Sequence, residues 1–358
     1  MSADLSIVIC SLNGAPGVNR CLKALAEQKT SARLEIIVVD DGSSDNTTEV
    51  ALKHGARVIR HPVNRGIAAA RNTGLSAASA PIIAYLDDDC EPTAQWAEAL
   101  LAGYRPQIAG VGGPILPQAS SGLIMSYLNR HNPLQPQELN LATSDRLVYR
   151  LRLYLQRQWR PSLLVGERDV YSLVGANMSF RREVLLAAGG FDERFRFGAE
   201  EVDLCIRLLR TEPPARLAFV PDATIRHHFR PSLHDVLRRS RAYGRGSARL
   251  YRKWPGLPPT IFPGPVIVAA ILALSARVPV LAAVALALPL LLYPQGLRGA
   301  ISRRGLSCLL DGYVQLGQET CEDLGFAEGL WRFRGLVPES ASTLQDATAV
   351  GGRQAPSP

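Results

Sequence analysis

Between Leu5 and Asp89 the chain alternates four short apolar runs with three stretches of helical periodicity. The runs are LSIVIC, LEIIVVDDGS, ARVIRHP and PIIAYLDDD, and the helical stretches cover Val18–Gln28, Thr47–His54 and Ala68–Ala78. Nearly unbroken Ile and Val runs suit strands covered on both faces, and the βαβα order then requires a parallel sheet between two layers of helices. The expectation is an α/β fold with a single doubly wound, mostly parallel sheet. Gly110–Pro117 (GVGGPILP) and the segment from Tyr171 to Phe195 read as further strand and turn, so the sheet should continue to about residue 225. In such sheets ligands lie outside the carboxyl ends of the strands, which directs attention to the residues that end each run.

Beyond that sheet the chain changes character. Asp145–Arg160 places Arg146, Arg150, Arg157 and Arg160 on one side of a helical wheel, with Leu147, Val148, Leu151, Leu155 and Trp159 on the other. A second basic helix follows Asp235, and Thr260–Tyr293 is the most apolar part of the chain, broken once by ARVP at Ala276–Pro279. Each half makes roughly 25 Å of helix against the ~30 Å hydrocarbon core of a bilayer. Arg245, Arg249, Arg252 and Lys253 precede it and Arg298, Arg303 and Arg304 follow it, so both flanks belong on the cytosolic side. Two short spans or a re-entrant hairpin satisfy that rule, and one span does not. The expected organisation is a catalytic-type domain at 1–230, a basic linker helix at 231–259, a membrane hairpin at 260–294, an amphipathic region at 295–338 and a disordered tail at 339–358. The segment from Pro117 to Asp145 has no assignment.

The net charge of +8 comes mainly from arginine and suits a phosphate-rich ligand or an anionic membrane surface. Nucleic acid is disfavoured because the arginines gather beside the apolar hairpin. Six scattered cysteines without a CxxC pair, and no leader before Leu5, point to a reducing cytosolic setting rather than to zinc or disulfides.

Several motifs stand at strand ends. In VVDDGSSDNT the pair Asp40–Asp41 can hold the N–H of a base or the hydroxyls of a ribose, and Gly42 permits a tight turn. In HPVNRGIAAARNTGL, Gly66 and three alanines admit a close approach, and Arg65 or Arg71 could meet a phosphate. Asp87, Asp88 and Asp89 follow six largely apolar residues, and three adjacent carboxylates need a cation. Their hard oxygens suit Mg²⁺ or Mn²⁺ together with a diphosphate. Glu200, Glu201 and Asp203 open a helix, and one of them could serve as general base. Glu200 and Glu201 point about 100° apart, so at most one enters a cleft. His227 and His228 end another apolar run and could complete a metal shell.

The ordered series LSIVICSLNG, VVDDGSSDNT, NRGIAAARNTGL, AYLDDDCEP, VGANMSFRR…GGFDERF, AEEVDLCIRL and IRHH resembles the family 2 glycosyltransferases of the GT-A fold, over about residues 5 to 230. The resemblance implies inverting transfer from a nucleotide diphosphate sugar donor. It places Ser11, Asn13, Asp41 and Arg71 near the nucleotide, with Asp88 beside it, and Asp87 and Asp89 at the DxD pair, Asp89 being the metal ligand. The family's Glu-Asp pair falls on Glu200–Glu201, which makes Glu201 the implied base, while Glu200 and Asp203 stay as alternatives. His227 matches a position that completes the metal shell in some members, with His228 as its neighbour. No Gln-x-x-Arg-Trp element is present, so one sugar per encounter is expected. The acceptor is expected to be a glycan or lipid-linked, and the setting the cytosolic face of the cell membrane. A sugar-phosphate nucleotidyltransferase and a non-catalytic membrane scaffold are the rival readings.

Overall fold

The computed structural model describes residues 3–118, 121–135, 147–159, 166–196, 198–211, 215–230, 232–302 and 305–339. Its first strand, β1 (Leu5–Ser11), is buried along its whole length. On one side it pairs in parallel with β2 (Leu34–Asp40), which pairs with β3 (Arg57–Arg60), and on the other it pairs in parallel with β4 (Ile82–Asp87). The chain therefore reverses its direction of winding at the β1/β4 boundary, the place where a doubly wound sheet opens a crevice. β9 (Asn177–Arg181) runs antiparallel between β4 and β6 (Ile108–Gly112), and β10 (Arg216–Phe219) and the two-residue β8 (Arg168–Asp169) complete eight strands. This is the α/β, mostly parallel sheet that the strand runs imply. A second, three-stranded sheet of β5 (Cys90–Pro92), β11 (Ile225–His227) and β7 (Ile115–Pro117) was not foreseen, because three-residue strands leave no periodicity to read.

The alternation of side chains along β1 builds two cores. Leu5, Ile7 and Ile9 meet Val18, Leu22 and Leu25 of α1 (Ala15–Ala26) and Trp96 and Leu100 of α4 (Trp96–Ala102). Val8 and Cys10 face Ala68 and Leu75 of α3 (Ile67–Ala77) and Leu204 and Leu208 of α8 (Glu200–Leu209). Each such buried side chain contributes about 1.5–3 kcal/mol relative to exposure. Two further helices, α2 (Thr47–Lys53) and α7 (Arg182–Ala187), lie at the sheet's margins.

The last third is not a set of separate modules. α9 (Leu233–Lys253), expected as a linker, lies along α13 (Asp311–Arg332) with backbones in contact: Gly244 faces the carbonyl of Glu322, and Gly325 faces that of Arg241. α5 (Leu123–Arg130) falls in the unassigned segment and buries Met125, Tyr127 and Leu128 against Val236 and Val314. α6 (Leu147–Trp159) forms where the basic amphipathic helix was expected, yet Val148, Leu151 and Leu155 of its apolar side are exposed. Arg146 and Arg160 lie outside the described residues, as does the tail from residue 340.

The apolar segment folds as two helices, α10 (Pro263–Ser275) and α11 (Val280–Leu292), packed on each other, followed by α12 (Pro294–Ile301). Gly312 of α13 rests on the backbone of Pro289. Most of the pair faces outward, with Val280 66 % and Leu286 68 % exposed, so it is not the buried core of a globular unit. No single helix among the described residues is long and apolar enough to cross a membrane; α11 and α12 together meet the length but are bent by 73°.

Candidate active site

Strand register assembles the site. Because β1 is in register with both neighbours, Ser11 stands beside Asp40 and Cys10 beside Asp87, which brings three strand ends to one edge. They open on a cleft of about 860 Å³ whose lining includes Asp41, Arg71, Asp87, Asp88, Asp89, Glu200, Glu201 and His227.

The Asp40–Asp41 pair divides its work. Asp40 is buried and accepts from the backbone N–H of Ser43 at 2.8 Å, so it braces the turn into α2. Asp41 accepts from His61 Nδ1 at 2.6 Å and from the backbone N–H groups of Arg65 and Gly66 at 2.9 and 2.8 Å. Those bonds hold the loop before α3, where Gly66 adopts φ 96°. Asn13, itself at φ 55°, accepts from Ser44 N–H at 2.8 Å and so braces the turn after β2. Ser11 does not stand free: its hydroxyl donates to Asp88 Oδ2. Asp88 in turn sits against Gly14 and Gly17 at the start of α1, where a Cβ at either glycine would collide with it. Burial pushes the Asp88 carboxyl up to about 7, against the pull of Ser11.

Asp89 faces His227, with Oδ1 3.2 Å from Nε2, whereas His228 turns to Glu91 at 2.7 Å. His228, one residue past the end of β11, turns away, and His227 is left at the cleft. His228 is therefore removed from the set of metal-ligand candidates. Burial raises the Asp89 carboxyl to about 6, helped by Asp87, and lowers His227 to about 4, which keeps the imidazole neutral and its lone pair available. Its Nδ1 is buried without a partner. Cys90 also brings its sulfur within 4.8 Å of these ligand atoms, but burial holds the thiol well above its usual range, so it remains protonated. A carboxylate and a neutral imidazole, with the Asp87 carboxyl nearby, fit a divalent cation.

Arg71 links the two acidic clusters. Its guanidinium is buried, donates to Glu200 Oε1 at 2.6 Å and to the Gly175 carbonyl at 3.2 Å, and reaches Asp87 at 3.4 Å. Arg71, expected near the nucleotide, lines the cleft with its terminal nitrogens on two protein carboxyls and a carbonyl. Glu200 Oε1 is thus committed to Arg71, whereas Glu201 forms no ion pair among the described residues; Oε2 of each is buried without a hydrogen-bond partner there. Burial first, and then Glu200, push the Glu201 carboxyl up to about 8. The turn that presents the pair carries Ala199 at φ 72°, a left-handed conformation that costs a non-glycine residue on the order of 1 kcal/mol. Asp203 leaves the candidate set. It is fully buried on the far side of α8, paired with Lys253 at 2.8 Å and Arg207 at 3.1 Å, and accepts from Trp254 Nε1 at 2.8 Å.

Arg239 was not singled out in the sequence. It projects from α9 into the cleft, its charge opposes the raised carboxyl of Asp89, and no described residue forms an ion pair with it. The signal was present in the helical spacing of Val236, Arg239, Ser240 and Tyr243, all of which line the cleft, but only the fold shows which face of α9 meets Asp89.

Residues 6–151 match the family described as Glycosyl transferase family 2, and residues 82–298 match Glycosyl transferase family group 2. The chain is 31 % identical over 255 residues to a pre-mycofactocin glycosyltransferase of Mycobacterium tuberculosis, covering 70 % of this chain and 48 % of that protein. It is 29 % identical over 227 residues to a validoxylamine A glucosyltransferase of Streptomyces hygroscopicus subsp. jinggangensis, covering 57 % of this chain and 51 % of that one. The chain spans about half the length of these curated relatives. Among solved structures, a mannosyltransferase of Pyrobaculum calidifontis in complex with GDP-Man and Mn²⁺ aligns over 99 % of this chain and 81 % of its own, at 16 % identity and a TM-score of 0.48. The second family match extends over more than half of the chain, and the chain belongs to the family 2 glycosyltransferases.

Proposed function

We propose that the chain transfers a sugar from a nucleoside diphosphate sugar to an acceptor hydroxyl with inversion at the anomeric carbon. The observation that carries this reading is Glu201, which unlike Glu200 forms no ion pair among the described residues and lines the same cleft as Asp87, Asp89 and His227. Asp89 and His227, with Asp87 beside them, would hold a divalent cation, which when bound neutralises charge on a departing diphosphate. Arg239 supplies a further positive charge there. Glu201 accepts the proton of the acceptor hydroxyl as its oxygen attacks the anomeric carbon from the face opposite the leaving group. Arg71 holds Glu200 and Asp87 fixed, so that Glu201 is the carboxyl free to move a proton. With Glu201 as base the acceptor oxygen displaces the nucleoside diphosphate in a single step, which inverts the centre.

Calorimetry with UDP, GDP and dTDP, with and without Mn²⁺, tests the donor site. One nucleoside diphosphate is expected to bind in a Mn²⁺-dependent manner, and Arg239→Ala to weaken it about tenfold, the worth of a charge-assisted contact. Failure of all three to bind folded protein would leave the donor reading without support.

The chain is also proposed to work at the cytosolic face of a membrane, with a glycan or lipid-linked acceptor close to the surface. Support comes from the outward apolar side chains of α10 and α11, with Arg277 between the helices. Exposed apolar surface of this extent marks a contact with lipid or protein, and each 13-residue helix reaches only about 20 Å, short of a full crossing. Flotation with phosphatidylglycerol vesicles should carry the protein upward, and Leu286→Glu with Val280→Glu should leave it at the bottom of the gradient. Equal flotation of both proteins would remove the pair from this role.

A further inference from the structure

The cleft has a second wall that the donor chemistry does not use. It is made by the end of α6 and the cleft-facing side of α13, with Tyr127 of α5 beside them. Gln158 is 7 % exposed, yet its carboxamide lines the cleft. Its oxygen accepts from Gln315 Nε2 at 3.1 Å, and its own Nε2 meets no acceptor among the described residues. Gln318 repeats the arrangement: its oxygen accepts from the hydroxyl of Tyr127, and its nitrogen has no described acceptor. Between them, Glu319 is held rigidly, with Oε2 accepting from Tyr154 at 2.8 Å and Tyr293 at 2.7 Å, and Oε1 from Gln315 at 3.2 Å.

Two amide donors and a carboxylate oxygen with a spare lone pair therefore face one space. That set complements hydroxyl groups, each of which donates once and accepts as well. It does not complement an anion. Arg130 of α5, which lines the cleft, is bound to both oxygens of Asp311 at 2.7 and 2.6 Å, and Arg239 stands by the aspartates. A phosphate or carboxylate on the acceptor would meet the Glu319 carboxyl at a wall whose own arginine, Arg130, is already committed to Asp311, while the unpaired Arg239 stands at the donor end beside Asp89. Phe262, half-buried on the same lining, adds aromatic surface on which the C–H face of a sugar ring can rest.

We infer that this wall is the acceptor subsite and that it takes a neutral, polyhydroxylated group, the terminal sugar of a glycan or glycoside, through Gln158, Gln318 and Glu319. The inference deepens the transferase reading and rests on it for the word acceptor. It places the uncharged end of the acceptor in the cleft, so that any phosphate or lipid the acceptor carries remains outside.

Saturation-transfer NMR on the full chain, in a detergent without a sugar head group, tests it. The probes are the methyl glycosides of glucose, galactose and mannose, with glucose 6-phosphate and glucuronic acid as charged counterparts. At least one neutral glycoside is expected to bind at least about tenfold tighter than its charged counterparts. The double variant Gln158→Ala/Gln318→Ala is expected to weaken that binding about tenfold, with binding of the nucleoside diphosphate unchanged. Charged sugars binding as well as neutral ones in the unaltered protein, neutral binding that persists in a folded double variant, or no neutral binding to protein that holds the diphosphate would each overturn the assignment. Neutral glycoside binding in protein that holds no diphosphate would sustain the subsite and count instead against the donor reading.

Discussion

Asp89→Ala is expected to lower sugar transfer by about 10³-fold, the equivalent of roughly 4 kcal/mol of charge stabilisation lost opposite a leaving diphosphate. The protein should remain folded. Asp89 contributes little to the core, its carboxyl is raised to about 6 by burial and by Asp87, and its backbone carbonyl still accepts from His228 N–H at 2.9 Å in the variant. Removing a charge that the folded state disfavours should leave the melting temperature level or slightly higher. Mn²⁺ should raise the melting temperature of the parent protein and not that of the variant. Undiminished turnover by Asp89→Ala would remove the residue from the donor site, and a collapsed fold would show that Asp89 serves structure instead.

Glu201→Gln is expected to reduce kcat by about 10³-fold, within the range for a general base, while the nucleoside diphosphate binds as before. The same carboxyl should set the pH profile. A base works deprotonated, so kcat/KM of the parent should rise with pH and level off. The midpoint should lie at or below the value of about 8 imposed by burial and Glu200, since a bound cation nearby favours the carboxylate. Glu200→Gln removes the neighbouring charge and should move that limb to lower pH, at some loss of stability because Arg71 is left buried with one partner fewer. Should Glu200→Gln abolish turnover and Glu201→Gln spare it, the two carboxylates would exchange roles.

The half of the fold that was legible in the sequence is the half written in regular repeats. The strands from Leu5 to Asp87 follow from unbroken apolar runs, and the site edge follows from where those runs turn acidic. What could not be read depends on contacts between distant segments. Asp203 opens a helix exactly as Glu200 does, and only the position of Lys253 and Trp254, some fifty residues onward, turns it inward. His227 and His228 are equivalent as text. Pairing of β11 with β5 opposite Cys90 decides which one reaches Asp89. Arg71 carried a readable charge, but its commitment to Glu200, 129 residues away in the chain, belongs to packing. α9 read as a linker because its basic residues mask the glycines that let it lie against α13.

Those glycines have a consequence for how the molecule can be divided. α13 touches the backbone of α9 at Gly325 and Gly329 and the backbone of α11 at Gly312, while α9 carries Arg239 to Asp89. One rod thus joins the apolar pair to the wall of the sugar-transfer cleft. Trimming the chain near residue 230 to obtain a handier soluble fragment would not release an intact catalytic half: it would strip away Arg239, Gln318 and Glu319, and leave the strand ends open to solvent on that side.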